Sequence, residues 1–120
     1  MILLKSIRHA VDGINAAIRS ERNLRIQISL ALLTVILGFY FNITSLEWII
    51  LTLTICLVLA AELINTSIES VVNLVSPQFH PLAKKAKDAA AGAVLVLSIG
   101  SLFVGWFIFG IKIQSLFFNA

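Results

Sequence analysis

The stretch Trp48-Ile-Ile-Leu-Thr-Leu-Thr-Ile-Cys56-Leu-Val-Leu-Ala-Ala61-Glu62-Leu-Ile-Asn65-Thr-Ser-Ile-Glu69-Ser-Val-Val-Asn73 decides how this chain is built. From Trp48 to Ala61 it offers 14 residues without a charge, roughly 21 Å of helix at about 1.5 Å per residue. That falls short of a hydrocarbon core about 30 Å thick, so a helix that crosses must continue through Glu62 to Glu69 or beyond. A carboxylate is thereby drawn into the bilayer, where it costs about 2.5–3.5 kcal/mol on insertion scales and usually marks function. The polar residues are also in phase. At about 100° per residue, Glu62, Asn65, Glu69 and Asn73 fall within an arc of roughly 80° on one helix face.

Working outward, the rest of the chain asks for the same solvent. Of the 120 residues, 59% are hydrophobic and only 12% charged, and the mean hydropathy is +1.00. Soluble domains carry about 25% charged residues, and a core of this length could not hide so much apolar surface. Ile26 to Leu46 is 21 residues without a charge, and Ala89 to Ile111 is 23, opened by the small residues 89–93 that allow close helix approach in lipid. Segment 41–45 reads as a tight turn, with Thr44 or Ser45 able to cap the next helix. Before the first span, Leu3, Leu4, Ile7, Val11, Ile14 and Ile18 recur at helical spacing with Lys5, Arg8, Asp12 and Arg19 between them, an amphipathic helix suited to the membrane surface. The expected architecture is an all-α membrane protein of one domain, 1–120. It has a surface helix over about 2–20 and three transmembrane helices over about 26–44, 47–74 and 88–112.

Charge sets the orientation. Lys5, Arg8, Arg19, Arg22 and Arg25 precede the first span, Lys84, Lys85 and Lys87 lie between the second and third, and Lys112 stands alone near the C-terminus. The positive-inside rule makes the N-terminus and the loop expected over 76–87 cytoplasmic. The net charge of +3 is then explained by topology, and no clustered basic face calls for nucleic acid. Cys56, the one cysteine, is expected to be a buried spectator thiol, and the glycines at 100, 105 and 110 to serve helix packing.

Two readings of the polar stripe compete. It could be glue between helices in a non-catalytic membrane module, such as a transporter subunit or assembly factor. Four polar groups exceed what glue requires, however, and Glu21, Lys87 and Asp88 wait at the same membrane face. That inventory suits phosphoryl transfer, which needs divalent-cation ligands, a cation for the phosphate and a group to take the hydroxyl proton. Glu21 and Glu69 would suit Mg²⁺, Lys87 the phosphate, and Glu62 the alcohol at the lipid interface. Gly-x-Gly-x-x-Gly, the Gly-x₄-Gly-Lys-Ser/Thr loop and His-Glu-x-x-His are all absent.

The run from Glu62 to Asn73 resembles the Glu-x-x-Asn-[Ser/Thr]-x-Ile-Glu-x-x-Val-Asp signature of the prokaryotic diacylglycerol kinase/undecaprenol kinase family. Residues 79–83 and Ala86-Lys87-Asp88 are similar to its second block, and Glu21 stands at the expected distance upstream. The resemblance implies a homotrimer in the bacterial inner (cytoplasmic) membrane, with active sites shared between neighbours. It implies transfer of the ATP γ-phosphate to a lipid alcohol, with Glu62 as general base and Glu21 and Glu69 as Mg²⁺ ligands. Lys5, Asn65, His80, Lys87 and Asp88 match residues around the nucleotide, as does Asn73, which stands where the family usually has aspartate. Segments 21–26 and 76–81 look more like the undecaprenol kinase branch, which slightly favours undecaprenol over diacylglycerol as substrate.

Overall fold

The computed structural model describes residues 1–119. Helix α1 (Ile2–Ser20) meets α2 (Arg22–Tyr40) at an elbow formed by Glu21 alone, whose φ of −110° and ψ of 109° take it out of the helical region. The guanidinium of Arg25 closes that elbow, donating from Nη1 to the carbonyls of Ile18 at 2.7 Å and Arg19 at 3.0 Å. These carbonyls have no partner in the last turn of α1, and a cation there also meets the negative end of the helix dipole. Ala17 and Leu24 are buried inside the corner. The apolar stripe of α1, from Leu3 to Ile14, stays exposed, as a helix lying on a membrane requires.

Helix α2 ends in a paired hydrogen-bond motif. Asn42 N donates to Phe39 O and Ile43 N to Gly38 O, while Asn42 adopts a left-handed φ of 51° that asparagine tolerates better than most residues. Gly38 is required by its neighbour: a Cβ there would come within 2.7 Å of the Trp48 ring. Helix α3 (Ser45–Val75) then starts from Thr44, whose Oγ1 accepts from Glu47 N at 3.2 Å while Glu47 Oε1 accepts from Thr44 N at 3.0 Å. This reciprocal capping box satisfies two backbone donors at once.

At 31 residues α3 is about 46 Å long, well beyond a hydrocarbon core of about 30 Å. The excess length is taken up by tilt or by turns that project past the bilayer. Helix α4 (Pro81–Gly105) returns antiparallel, capped by His80, whose Nδ1 accepts from Leu82 N at 3.1 Å, with Pro81 in the first turn. The connection is thus only 76–80, shorter than the 76–87 loop read from the sequence, and Lys84, Lys85, Lys87 and Asp88 ride on the helix itself. The lysine run breaks the apolar pattern without breaking the helix. A five-residue π-helical turn, Trp106–Gly110, separates α4 from α5 (Ile111–Phe118). Gly110 makes it feasible, because a Cβ there would lie 2.4 Å from the Trp106 ring.

The three helices Arg22–Tyr40, Ser45–Val75 and Pro81–Phe118 are each long and apolar enough to cross a membrane. The core is small and lies at the end opposite the elbow, where Ile43, Leu51, Ile108 and Phe109 pack with Leu37, Phe41 and Trp48. There the Lys112 ammonium bonds Glu47 Oε2 and the Ile108 carbonyl, each at 2.8 Å. Two sequence expectations need correction. Cys56 is exposed, because it lies on the outward face of α3. Gly100 and Gly105 meet nothing within 4 Å, so neither serves helix packing within one chain.

Candidate active site

The polar stripe of α3 begins inside the protein. Glu62 stands about 26 Å along the helix from Ser45, near the far edge of a hydrocarbon core, and is 2% exposed. Its Oε2 accepts a long bond, 3.4 Å, from the Gln27 amide on α2. Gln27 is absent from the residues singled out by sequence. The available signal was an amide set between Ile26 and Ile28 within a charge-free span, a residue type that lipid does not tolerate unpartnered.

One turn further, Asn65 is 8% exposed and donates from Nδ2 to Glu69 Oε1 at 3.1 Å. Thr66 Oγ1 turns back onto the Glu62 carbonyl at 2.9 Å, so its hydroxyl is used within the helix. Asn65 Oδ1 is buried with no donor, and so is Gln27 Oε1. A buried carbonyl left unbonded costs about 1–3 kcal/mol, so both mark places where a hydrogen-bond donor or cation is wanted. Glu21, at the elbow, and Glu69 both lie within electrostatic reach of Glu62.

The stripe then passes to α4. Asn73 Oδ1 accepts from Lys87 Nζ at 2.8 Å, which ties the amide to the ammonium without neutralising it. Asp88 pairs with Lys84 one turn earlier on the exposed face of α4. Asn73, His80, Lys84, Lys87 and Asp88 together line a shallow pocket of about 410 Å³ where α3, the 76–80 turn and α4 converge. The geometry therefore forms two adjoining regions, a buried carboxylate–amide cluster and an open basic pocket. Lys5 joins neither. It is exposed on α1, about 24 Å along that helix from Glu21.

Among the described residues no group of three His, Cys, Asp or Glu side chains is placed to hold a metal. Two carboxylates, Glu21 and Glu69, with the orphaned Asn65 Oδ1 beside Glu69, remain. That all-oxygen set fits a hard cation such as Mg²⁺, which is commonly held by one or two carboxylates plus substrate phosphates.

A family model described as "Prokaryotic diacylglycerol kinase" matches residues 8–109, a range that holds every residue of the cluster and the pocket. The chain belongs to the prokaryotic diacylglycerol kinase family. A relative named undecaprenol kinase, from Bacillus subtilis (strain 168), is 44% identical over 105 residues, covering 88% of this chain and 85% of that protein. A diacylglycerol kinase from Helicobacter pylori (strain J99) is 42% identical over 118 residues, covering 98% of this chain and 88% of that one. A diacylglycerol kinase from Synechocystis is 41% identical over 104 residues, covering 86% of this chain and 59% of the longer relative. Membership decides what kind of protein this is: a lipid kinase, a phosphotransferase with an alcohol acceptor, and not a non-catalytic module.

Proposed function

We propose that this kinase transfers the γ-phosphate of ATP to the primary hydroxyl of a membrane lipid alcohol at the carboxylate–amide cluster of α3, with undecaprenol slightly favoured over diacylglycerol. The observation that carries the reading is Glu62, a carboxylate 2% exposed at the membrane edge, on the stripe that leads to Lys87. Glu62 accepts the hydroxyl proton as the lipid oxygen attacks the γ-phosphorus and the bond to the bridging oxygen breaks, releasing ADP. Glu21 and Glu69 would hold Mg²⁺, which would supply positive charge to offset that on the phosphate oxygens. Lys87, held by Asn73, supplies a fixed positive charge for the phosphates, and Asn65 positions Glu69 through its amide N–H. His80 and Asp88 border the nucleotide in the open pocket.

Lys5 enters as a nucleotide contact from a neighbouring copy, since it lines neither the cluster nor the pocket of its own chain. A homotrimer with sites shared between neighbours supplies that contact. The family supports placement in the bacterial inner membrane, and the cations gathered at the elbow end, against Lys112 alone at the other, support a cytoplasmic N-terminus.

The test is label transfer from γ-labelled ATP with the purified protein in detergent, diacylglycerol and undecaprenol being offered separately. Faster labelling of undecaprenol, abolished by chelation and restored by Mg²⁺, is expected. Faster labelling of diacylglycerol overturns the lipid preference, and labelling unaffected by chelation overturns the assignment of Glu21 and Glu69.

A further inference from the structure

We infer that Gln27 is the positioning residue for Glu62, acting through its amide N–H to fix which carboxylate oxygen meets the lipid hydroxyl. The inference rests on the reading of Glu62 as the base. Gln27 sits one turn after Leu24 on α2, and Leu24 is 2% exposed, so this face of α2 is anchored against its surroundings. The Gln27 amide reaches 35 residues across the fold to Glu62 Oε2 at 3.4 Å. Among the described residues no hydrogen bond reaches Glu62 Oε1. One oxygen is therefore held and the other is left for the substrate.

Among the described residues no other side chain does this. Asn65 is the nearest amide on the same face of α3, but the bond its Nδ2 donates runs to Glu69 and not to Glu62. Thr66 is tied to the Glu62 carbonyl rather than its side chain. Without Gln27, the carboxylate has no described side-chain donor and is free to rotate about its last torsion, which is broad for glutamate. A base that reacts only when its acceptor oxygen lies within hydrogen-bond reach of the proton loses turnover when that orientation is lost. The Gln27 carbonyl, buried and without a donor, fits the same site: it provides a second acceptor beside Glu62 for a hydroxyl or a water on the substrate side. Because Gln27 touches Glu62 and not the phosphates, its loss falls on kcat and not on the KM for ATP.

The experiment is a double-mutant cycle on the full-length protein in lipid–detergent micelles. Gln27→Met keeps the length and volume of the side chain and removes both polar atoms. Expected is a fall of about 10-fold in kcat, or about 1.4 kcal/mol of barrier, with KM for ATP and lipid within about twofold of the parent and an unchanged melting temperature. In a Glu62→Gln background the same change costs nothing further, because there is no base left to orient. Multiplicative losses, or a loss that tracks a lowered melting temperature, show a structural amide only and overturn the inference. Turnover within twofold of the parent for Gln27→Met does the same. Should Gln27→Met fail to fold, Gln27→Asn, which keeps the amide but withdraws it by one methylene, is put through the same cycle: a kcat loss that vanishes in the Glu62→Gln background supports the positioning role, and a multiplicative loss or none overturns it. The two failures are distinguishable: full activity in Glu62→Gln alone rejects the base itself, whereas a dead Glu62→Gln with independent Gln27 effects rejects only the positioning role.

Discussion

Replacing Lys112 with methionine is expected to loosen the end of the bundle away from the site while sparing catalysis. The Lys112 ammonium reaches Glu47 Oε2 and Ile108 O, each at 2.8 Å, and so ties α5 to the first turn of α3 and to the π-helical turn. The two side chains are 32% and 22% exposed, for lysine and glutamate respectively. The pair is neither a fully solvated contact, worth about 0.2–1 kcal/mol, nor a buried one, where removing a partner costs about 3–5 kcal/mol. With this much exposure the value lies near the solvated end, about 1–1.5 kcal/mol for Lys112→Met. Glu47→Gln keeps an oxygen to accept from Thr44 N, so the capping box survives and the loss is chiefly the ion pair. Unfolding by denaturing detergent in mixed micelles, run on both single variants and the double, should return a coupling of about 1 kcal/mol. Turnover should stay within about twofold, because Glu47 lies about 22 Å along α3 from Glu62. Coupling below about 0.3 kcal/mol would refute the reasoning, and so would a collapse of activity in a variant that remains folded.

Gly38→Ala drives a methyl into the Trp48 ring and should cost about 1–3 kcal/mol by the same unfolding assay, whereas Gly100→Ala, which meets nothing within 4 Å, should be near neutral. Equal effects would remove the steric account of the α2–α3 turn. Asn73→Asp converts the 2.8 Å bond to Lys87 into an ion pair and places a negative charge beside the pocket. The KM for ATP should rise about threefold and that for lipid should not move, since a new charge competes for the ammonium. A change confined to the lipid KM would take Lys87 out of the nucleotide's neighbourhood.

Much of the architecture is legible in the sequence because lipid allows so few solutions. Helices must satisfy their own backbones, so the charge-free runs give the spans, and the shortness of the run from Trp48 to Ala61 forces Glu62 into the membrane. A 3.6-residue period then places Glu62, Asn65, Glu69 and Asn73 on one face without further information. What periodicity does not encode is contact between helices. The Gln27–Glu62 bond spans 35 residues and the Lys112–Glu47 pair spans 65, and neither leaves a local pattern. The π-helical turn is silent for a similar reason: it depends on the Trp106 ring lying over Gly110, while the apolar composition continues unbroken across it. The connection after α3 is shorter than its run of lysines suggests, because lysine is a good helix former and Pro81 with His80 starts the helix before them.

The most direct measurement is turnover of Glu62→Gln in parallel with its melting temperature and oligomeric state. A catalytic stripe predicts a loss of about 10²–10⁴-fold in kcat, the usual worth of a general base, in a protein that melts and assembles as the parent does. Activity near that of the parent, or a loss explained wholly by unfolding or dissociation, would contradict it and leave the buried carboxylate a packing element in a kinase whose base lies elsewhere.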